Sequence, residues 1–327
     1  AADMAGVAAG GGSVGIGVLL FAVNVGRTLG ATPRLDPVLL AFGCAAGWLV
    51  ATVAAGVLLA TNLHLGWWSL DTLAVLRAHA HAGVGGFFVT LLLGAMFRLV
   101  PMFALSGPPD LRRVGTSLAL SQAGLVTLTV GLGTTRTAAT LGGSALLVTA
   151  FFLAGVELRR LVVTRRKRAF EPGLIGFFAG LVCLALSTAV GVSFAIFGGD
   201  LPGALAYGVL AALGGVLATV QGMLCKIVPF LVWMRVYGPR VGRQPTPVAS
   251  ALGRPRFERA WVWLHMTATM LLTLGAWSVQ RPLLVAGAVL FAIAQAALLT
   301  SLAASSRHLW PTVPTPARVA VATQRTS

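Results

Sequence analysis

The chain is 327 residues long, 57% of them hydrophobic and only 10% charged, with a mean hydropathy of +0.88. A soluble domain carries about a quarter charged residues. These figures therefore exclude a water-soluble globular protein and predict an all-α, polytopic membrane helix bundle. The net charge of +16 would suit a nucleic-acid binder, but its placement along the chain reads as a topology signal, with no nucleic acid as partner.

A helix needs about 20 mainly apolar residues to cross the hydrocarbon core. Nine such spans are predicted, at 8–27, 37–61, 76–104, 115–134, 137–157, 173–198, 203–231, 259–279 and 282–304. The first, rich in glycine, is the weakest. Span 2 runs into TNLHLGWW, which places His64 beside Trp67 and Trp68 at an interface.

Span 3 holds the most informative segment, LRAHAHAGVGGFFVTLLLGAMFRLVPMF. Imidazoles are costly in a bilayer and mark functional sites there. His79 and His81, at i and i+2, point roughly 200° apart on a helix. They would serve two centres on opposite sides rather than share one small ion, which suggests haem. On the His79 face the next residues at helical spacing are Gly83, Gly86, Thr90 and Gly94. This stripe is either a small-residue helix contact or a groove for a flat porphyrin beneath an iron-ligating imidazole. The His81 face, with Gly85, Phe88 and Leu92, is bulkier. Arg77 would pair with haem propionates or simply anchor the interface. His64 is either an opposing ligand from the neighbouring helix or a polar end-of-helix residue.

Spans 4 and 5 contain no intramembrane acid pair. Glu157, Glu171 and Glu258 all fall at helix ends, which argues against an ion-coupled transporter. Span 7 ends GMLCKIVPFL (222–231), and span 3 ends GAMFRLVPMF (94–103). At an offset of 128, Gly94 meets Gly222, Arg98 meets Lys226, Val100 meets Val228 and Pro101 meets Pro229. Upstream, Gly86 meets Gly214 and His79 meets Tyr207. The chain thus reads as one integral membrane domain: an extra helix, two four-helix repeats at about 37–157 and 173–304, and a tail over 305–327.

Span 8 carries His265, with Met266 and Met270 nearby and Trp261 and Trp263 read as an interfacial belt. On these spans His265 lies more than about 10 Å along the membrane normal from His81 at 1.5 Å per residue. It becomes an outer-half ligand if span 8 starts earlier or tilts, and otherwise forms a separate site or a hydrogen-bonded core histidine. His308 falls in the tail beside Trp310. Cys44, Cys183 and Cys225 are scattered and read as buried thiols. There is no CxxCH, phosphate loop or hydrolase elbow.

Of the 24 Lys and Arg, only Arg77, Arg136 and Arg281 fall on one side; the other 21 lie in or beside the connections after spans 1, 3, 5 and 7 and in the tail. The positive-inside rule then puts the N-terminus outside and the C-terminus in the cytoplasm of a bacterial inner membrane.

The residues HAHAGVGGFFVTLLLGAMFRLVPMF (79–103) and GMLCKIVPFLVWMRVYGPRVG (222–242) resemble the haem-copper oxidase superfamily, especially short proteins similar to its catalytic subunit I. The nitric-oxide-response membrane haem proteins are a more distant likeness. The resemblance covers under a quarter of the chain. It implies that an HxH pair ligates haem on both sides of one helix. The chain departs from the family in having nine spans rather than twelve and no adjacent His pair for copper, which argues against a complete oxygen reductase.

The resulting expectation is a b-type haem protein with one or two haems near the outer face. It would be an oxidoreductase subunit passing electrons between a quinol or periplasmic carrier and a partner redox subunit in the bilayer. The expected ligands are His79, His81, His265 and His64, with copper as second choice. The alternatives are a haem- or copper-binding sensor or oxidase assembly factor, and a permease or structural subunit.

Overall fold

A computed structural model describes residues 4–69 and 71–310. These residues form nine long helices and no strand: α1 Met4–Gly30, α2 Pro37–Leu65, α3 Thr72–Ala104, α4 Leu111–Gly133, α5 Thr137–Val163, α6 Pro172–Phe197, α7 Leu201–Val236, α8 Pro255–Trp277 and α9 Arg281–Ser306. Eight of them are long and apolar enough to cross a membrane among the described residues. The expected count was nine. The helix that falls short is α8, because Trp261, Trp263, His265 and three threonines dilute its apolar stretch even past the charged first turn. The end of the predicted tail, 311–327, lies outside the described residues.

Local chemistry sets the helix ends. Asp36, Asp71, Asp110 and Asp200 each cap a helix, accepting N–H bonds from residues two or three positions on. Proline follows in the first turn of α2, α6, α7, α8 and α9, where its missing N–H costs nothing. At the far end of α2, Gly66 takes φ 66° and returns its N–H to Asn62 O at 2.8 Å. The Asn62 side chain then pins the Trp68 backbone. Trp67 and Trp68 stack with centroids 5.9 Å apart and remain exposed, as an interfacial aromatic pair does.

The helices α2–α5 and α6–α9 pack in the same order of partners, and several of their bounds keep a regular spacing. α2 and α6 start 135 positions apart, at Pro37 and Pro172. α4 and α8 start and end 144 apart, and so do the starts of α5 and α9. In each set the first helix packs on the second and third, the second on the third and fourth, and the third on the fourth. The α4–α5 and α8–α9 turns share an unusual residue, Thr135 and Val279, both at φ 55°. Asp36, before α2, pairs with Arg98 of α3 at 2.9 Å. Glu171, before α6, pairs with Lys226 of α7, and Lys167 joins the same carboxylate.

The main core lies at the arginine-rich end and joins both sets, with Val38, Phe97, Val100, Leu118, Leu161, Leu174, Phe177 and Met223 among its members. Beside it the Glu157 carboxylate is fully buried. It accepts from Arg113 at 2.7 Å, from Arg160 at 2.5 Å and from the Asp110 amide at 2.8 Å. Breaking a buried ion pair costs about 3–5 kcal/mol, and the two half-exposed arginines soften that. Glu157→Ala is therefore expected to cost about 2–3 kcal/mol, read as a lower thermal midpoint in detergent. An unchanged midpoint would mean the knot adds no stability.

Every carboxylate among the described residues is engaged. The four aspartates cap helices, Glu157 and Glu171 hold basic side chains, and Glu258 accepts from Ser301 at 2.9 Å.

Candidate functional site

The helices that carry the candidate residues widen in the same place. α3 opens into a π-helical stretch at Ala82–Val89 and α7 at Leu210–Leu217, 128 positions apart. Both stretches are built on glycine pairs, Gly85–Gly86 and Gly214–Gly215. A π turn loosens the backbone ladder and recurs at functional sites. A carbonyl there keeps a lone pair open to side chains.

In both helices a polar chain runs from such a carbonyl to an indole. In α7, Leu213 O accepts from His265 Nε2 at 3.0 Å, and His265 Nδ1 accepts from Gln295 at 3.2 Å. Gln295 Oε1 accepts from Gln221 at 2.5 Å, and Gln221 Oε1 from Trp261 Nε1 at 3.0 Å. In α3, Gly85 O accepts from Thr90 Oγ1 at 3.3 Å, and that oxygen accepts from Gln122 at 3.2 Å. Gln122 Oε1 accepts from Trp48 Nε1 at 2.8 Å. His265 is thus the hydrogen-bonded core histidine among the three readings of the sequence, wholly buried against Trp261 and Phe291. Trp261 is fully buried as well, so of the expected belt pair only Trp263 faces outward. The sequence misplaced Trp261 because its indole has a buried amide to meet.

His79 and His81 do face different helices. His79 points at α2, where a Cβ on Gly56 would stand 3.0 Å from its Cε1. Its ring makes no hydrogen bond among the described residues, and Nδ1 is wholly buried. His81 points at α7. Its Nδ1 is 2.8 Å from Arg77 O and its Nε2 is 3.1 Å from Tyr207 Oη.

The stripe of small residues beneath His79 seats α2. A Cβ on Gly83 would meet the Thr52 methyl at 3.2 Å, and one on Gly86 the Trp48 ring at 2.5 Å. Further down, Gly94 lies against Ala41 and Val38 O. Arg77 is exposed and enters through its carbonyl. His64 is exposed, eight residues beyond Gly56, or about 12 Å along α2. His308 meets the Tyr237 hydroxyl at 2.8 Å at the opposite end. The structure thus brings His79 together with Gly83 and Gly86 at the α2–α3 contact, and keeps His64 and His265 apart from them. Among the described residues no three His, Cys, Asp or Glu converge as a metal site.

Sequence reasoning passed over Gln122, Gln221 and Gln295, and saw Tyr207 only as the counterpart of His79. The signal for the glutamines was present: each stands alone in apolar text, where an uncharged amide needs a partner. No family model, curated protein or solved structure matches the chain.

Proposed function

We propose that this chain is a membrane-embedded b-type haem protein that transfers electrons, with His79 as the axial ligand of the iron. One observation supports the reading above the others. His79 has a buried ring nitrogen with no hydrogen-bond partner among the described residues, while both ring nitrogens of His81 and of His265 are engaged. An unpaired buried polar atom costs about 1–3 kcal/mol, so this nitrogen calls for a partner, which a metal would supply. An imidazole-held haem iron supplies one-electron chemistry. Arg77 is the cation nearest in sequence for a propionate, and Gly56 leaves the His79 ring its room.

The wider reading follows the same residues. The matched bounds, ion pairs and turn residues of α2–α5 and α6–α9 support two four-helix repeats, with α8 as a ninth span. The arginine-rich end is cytoplasmic in a bacterial inner membrane, so His79 lies near the outer face, within reach of a quinol or periplasmic carrier and of a redox partner subunit. The engagement of every described carboxylate leaves none free to bind a coupling ion.

A second reading, a permease or structural subunit whose histidines serve packing, is favoured by one observation. Thr52 and Trp48 fill the stripe beneath His79.

The reduced-minus-oxidised visible spectrum of the purified protein, with iron analysis on the same sample, separates the two. A sharp α-band of the b type with stoichiometric iron is expected. A colourless preparation without iron would sink the haem reading and leave the packing one.

A further inference from the structure

We propose that the recess between α3, α7 and the 164–171 connection holds the phosphate of an anionic phospholipid, bound by Lys167 and Lys226. The site lies at the arginine-rich end of the bundle and shares no residue with the haem reading.

The two helix sets differ here in charge. In the first, Asp36 and Arg98 make a one-to-one pair whose arginine side chain is 61% exposed. Glu171 stands 135 positions after Asp36 and Lys226 stands 128 after Arg98, yet the Lys226 side chain is only 8% exposed. Thr32 occupies the position that corresponds to Lys167. The second set therefore puts two ammoniums on one carboxylate, a surplus of one positive charge that the first set lacks. The buried Glu258 carboxylate is turned to Ser301 at 2.9 Å and does not line the recess.

Those ammoniums also have donors to spare. Each carries three N–H groups and no acceptor. Glu171 takes one from each lysine, and neither has another hydrogen-bond partner among the described residues. For the nearly buried Lys226 that is a call for a further acceptor. The Phe103 ring, 5.3 Å away, holds the ammonium in place without accepting a conventional hydrogen bond. Lys167 is fixed as well. The amides of Arg166 and Lys167 donate to Leu105 O at 3.2 Å and Ala104 O at 3.3 Å, which ties the basic connection over the end of α3.

The recess has a volume of about 220 Å³. That is room for about seven waters and less than a drug-sized ligand needs, which suits a tetrahedral phosphate and its ester link. Its rim is apolar, formed by Met102, Phe103, Leu105 and Phe230, with Met102 and Leu105 exposed. A free oxyanion has no use for such a rim, whereas an acyl chain lies along it. One phosphodiester charge matches the surplus, and a choline headgroup would set a further cation beside two lysines. Basic pockets between membrane helices hold anionic headgroups for these reasons.

The test is native mass spectrometry of delipidated full-length protein in detergent, with phosphatidylglycerol, phosphatidylcholine and inorganic phosphate as probes. One phosphatidylglycerol per chain is expected, at concentrations where phosphatidylcholine is not retained. Lys167→Gln leaves the Lys226–Glu171 pair intact. It should weaken phosphatidylglycerol binding at least about fivefold, the worth of one basic residue at an anionic membrane surface. Met102→Glu, which sets a carboxylate on the rim and touches neither ion pair, should weaken it as well. Arg98→Gln, at the matching position of the other set, should leave it unchanged. Thermal midpoints without lipid check that each variant is folded. Equal retention of the two lipids, or undiminished phosphatidylglycerol binding in folded Lys167→Gln or Met102→Glu, would overturn the proposal. Displacement of the lipid by an equal concentration of inorganic phosphate would make a free anion the ligand and overturn the lipid as occupant.

Discussion

Valine at Gly222 is expected to cost more than about 3 kcal/mol, enough to collapse expression of folded protein. A Cβ there would lie 2.5 Å from Gly173 O and 2.6 Å from Phe177 N. Both are backbone atoms of α6, so neither can rotate aside, and the two helices must separate along the core they share. Gly86 makes a useful contrast. Its added Cβ would be just as close to Trp48, but that neighbour is a side chain, so Gly86→Ala should cost clearly less. Thermal midpoints in detergent, with size-exclusion profiles, check the order. Equal midpoints for Gly222→Val and wild type would mean that α6 and α7 do not approach this closely.

His79→Ala is expected to abolish haem uptake, lowering iron content to under about a tenth of wild type, because an uncoordinated b haem is held by little else. His308→Ala, at the opposite end beside Tyr237, should retain the full complement. His265→Ala should behave differently from both. It empties a wholly buried site and strands the Leu213 carbonyl and the Gln295 amide, which predicts about 2–4 kcal/mol of lost stability with the haem retained. Full haem in the His79 variant would sink the ligand assignment. Loss of haem in a folded His265 variant would bring that histidine back as a ligand.

How much of this was legible depends on which force decides each feature. Bilayer length and apolar text decide the helices, so spans 37–61 and 173–198 were placed to within a few residues at their starts. Charged first turns blur the signal, and α8 begins four residues before the predicted 259, because Pro255 rather than hydropathy sets its start. The divergence of His79 and His81 follows from helical geometry and was readable. The filling of the stripe below His79 was not. Gly83 and Gly86 announce a close approach, but nothing in span 3 says that Trp48 and Thr52 make it. Tyr207 was visible as the counterpart of His79 at an offset of 128. Its bond to His81 was hidden, because it depends on how two distant helices meet. The pairing of Gly56, beside His79, with Gly191, beside Tyr207, was hidden for another reason: the offset there is 135, since α6, the α6–α7 connection and the first part of α7 are each shorter than their counterparts.

The extra helix α1 packs on α2 through Leu29 against Gly43, Val53 against Gly15 and Val57 against Gly11. At the arginine-rich end the α1 side chain enters an α2 glycine, and further along α2 side chains enter α1 glycines, so the two helices key into one another in both directions.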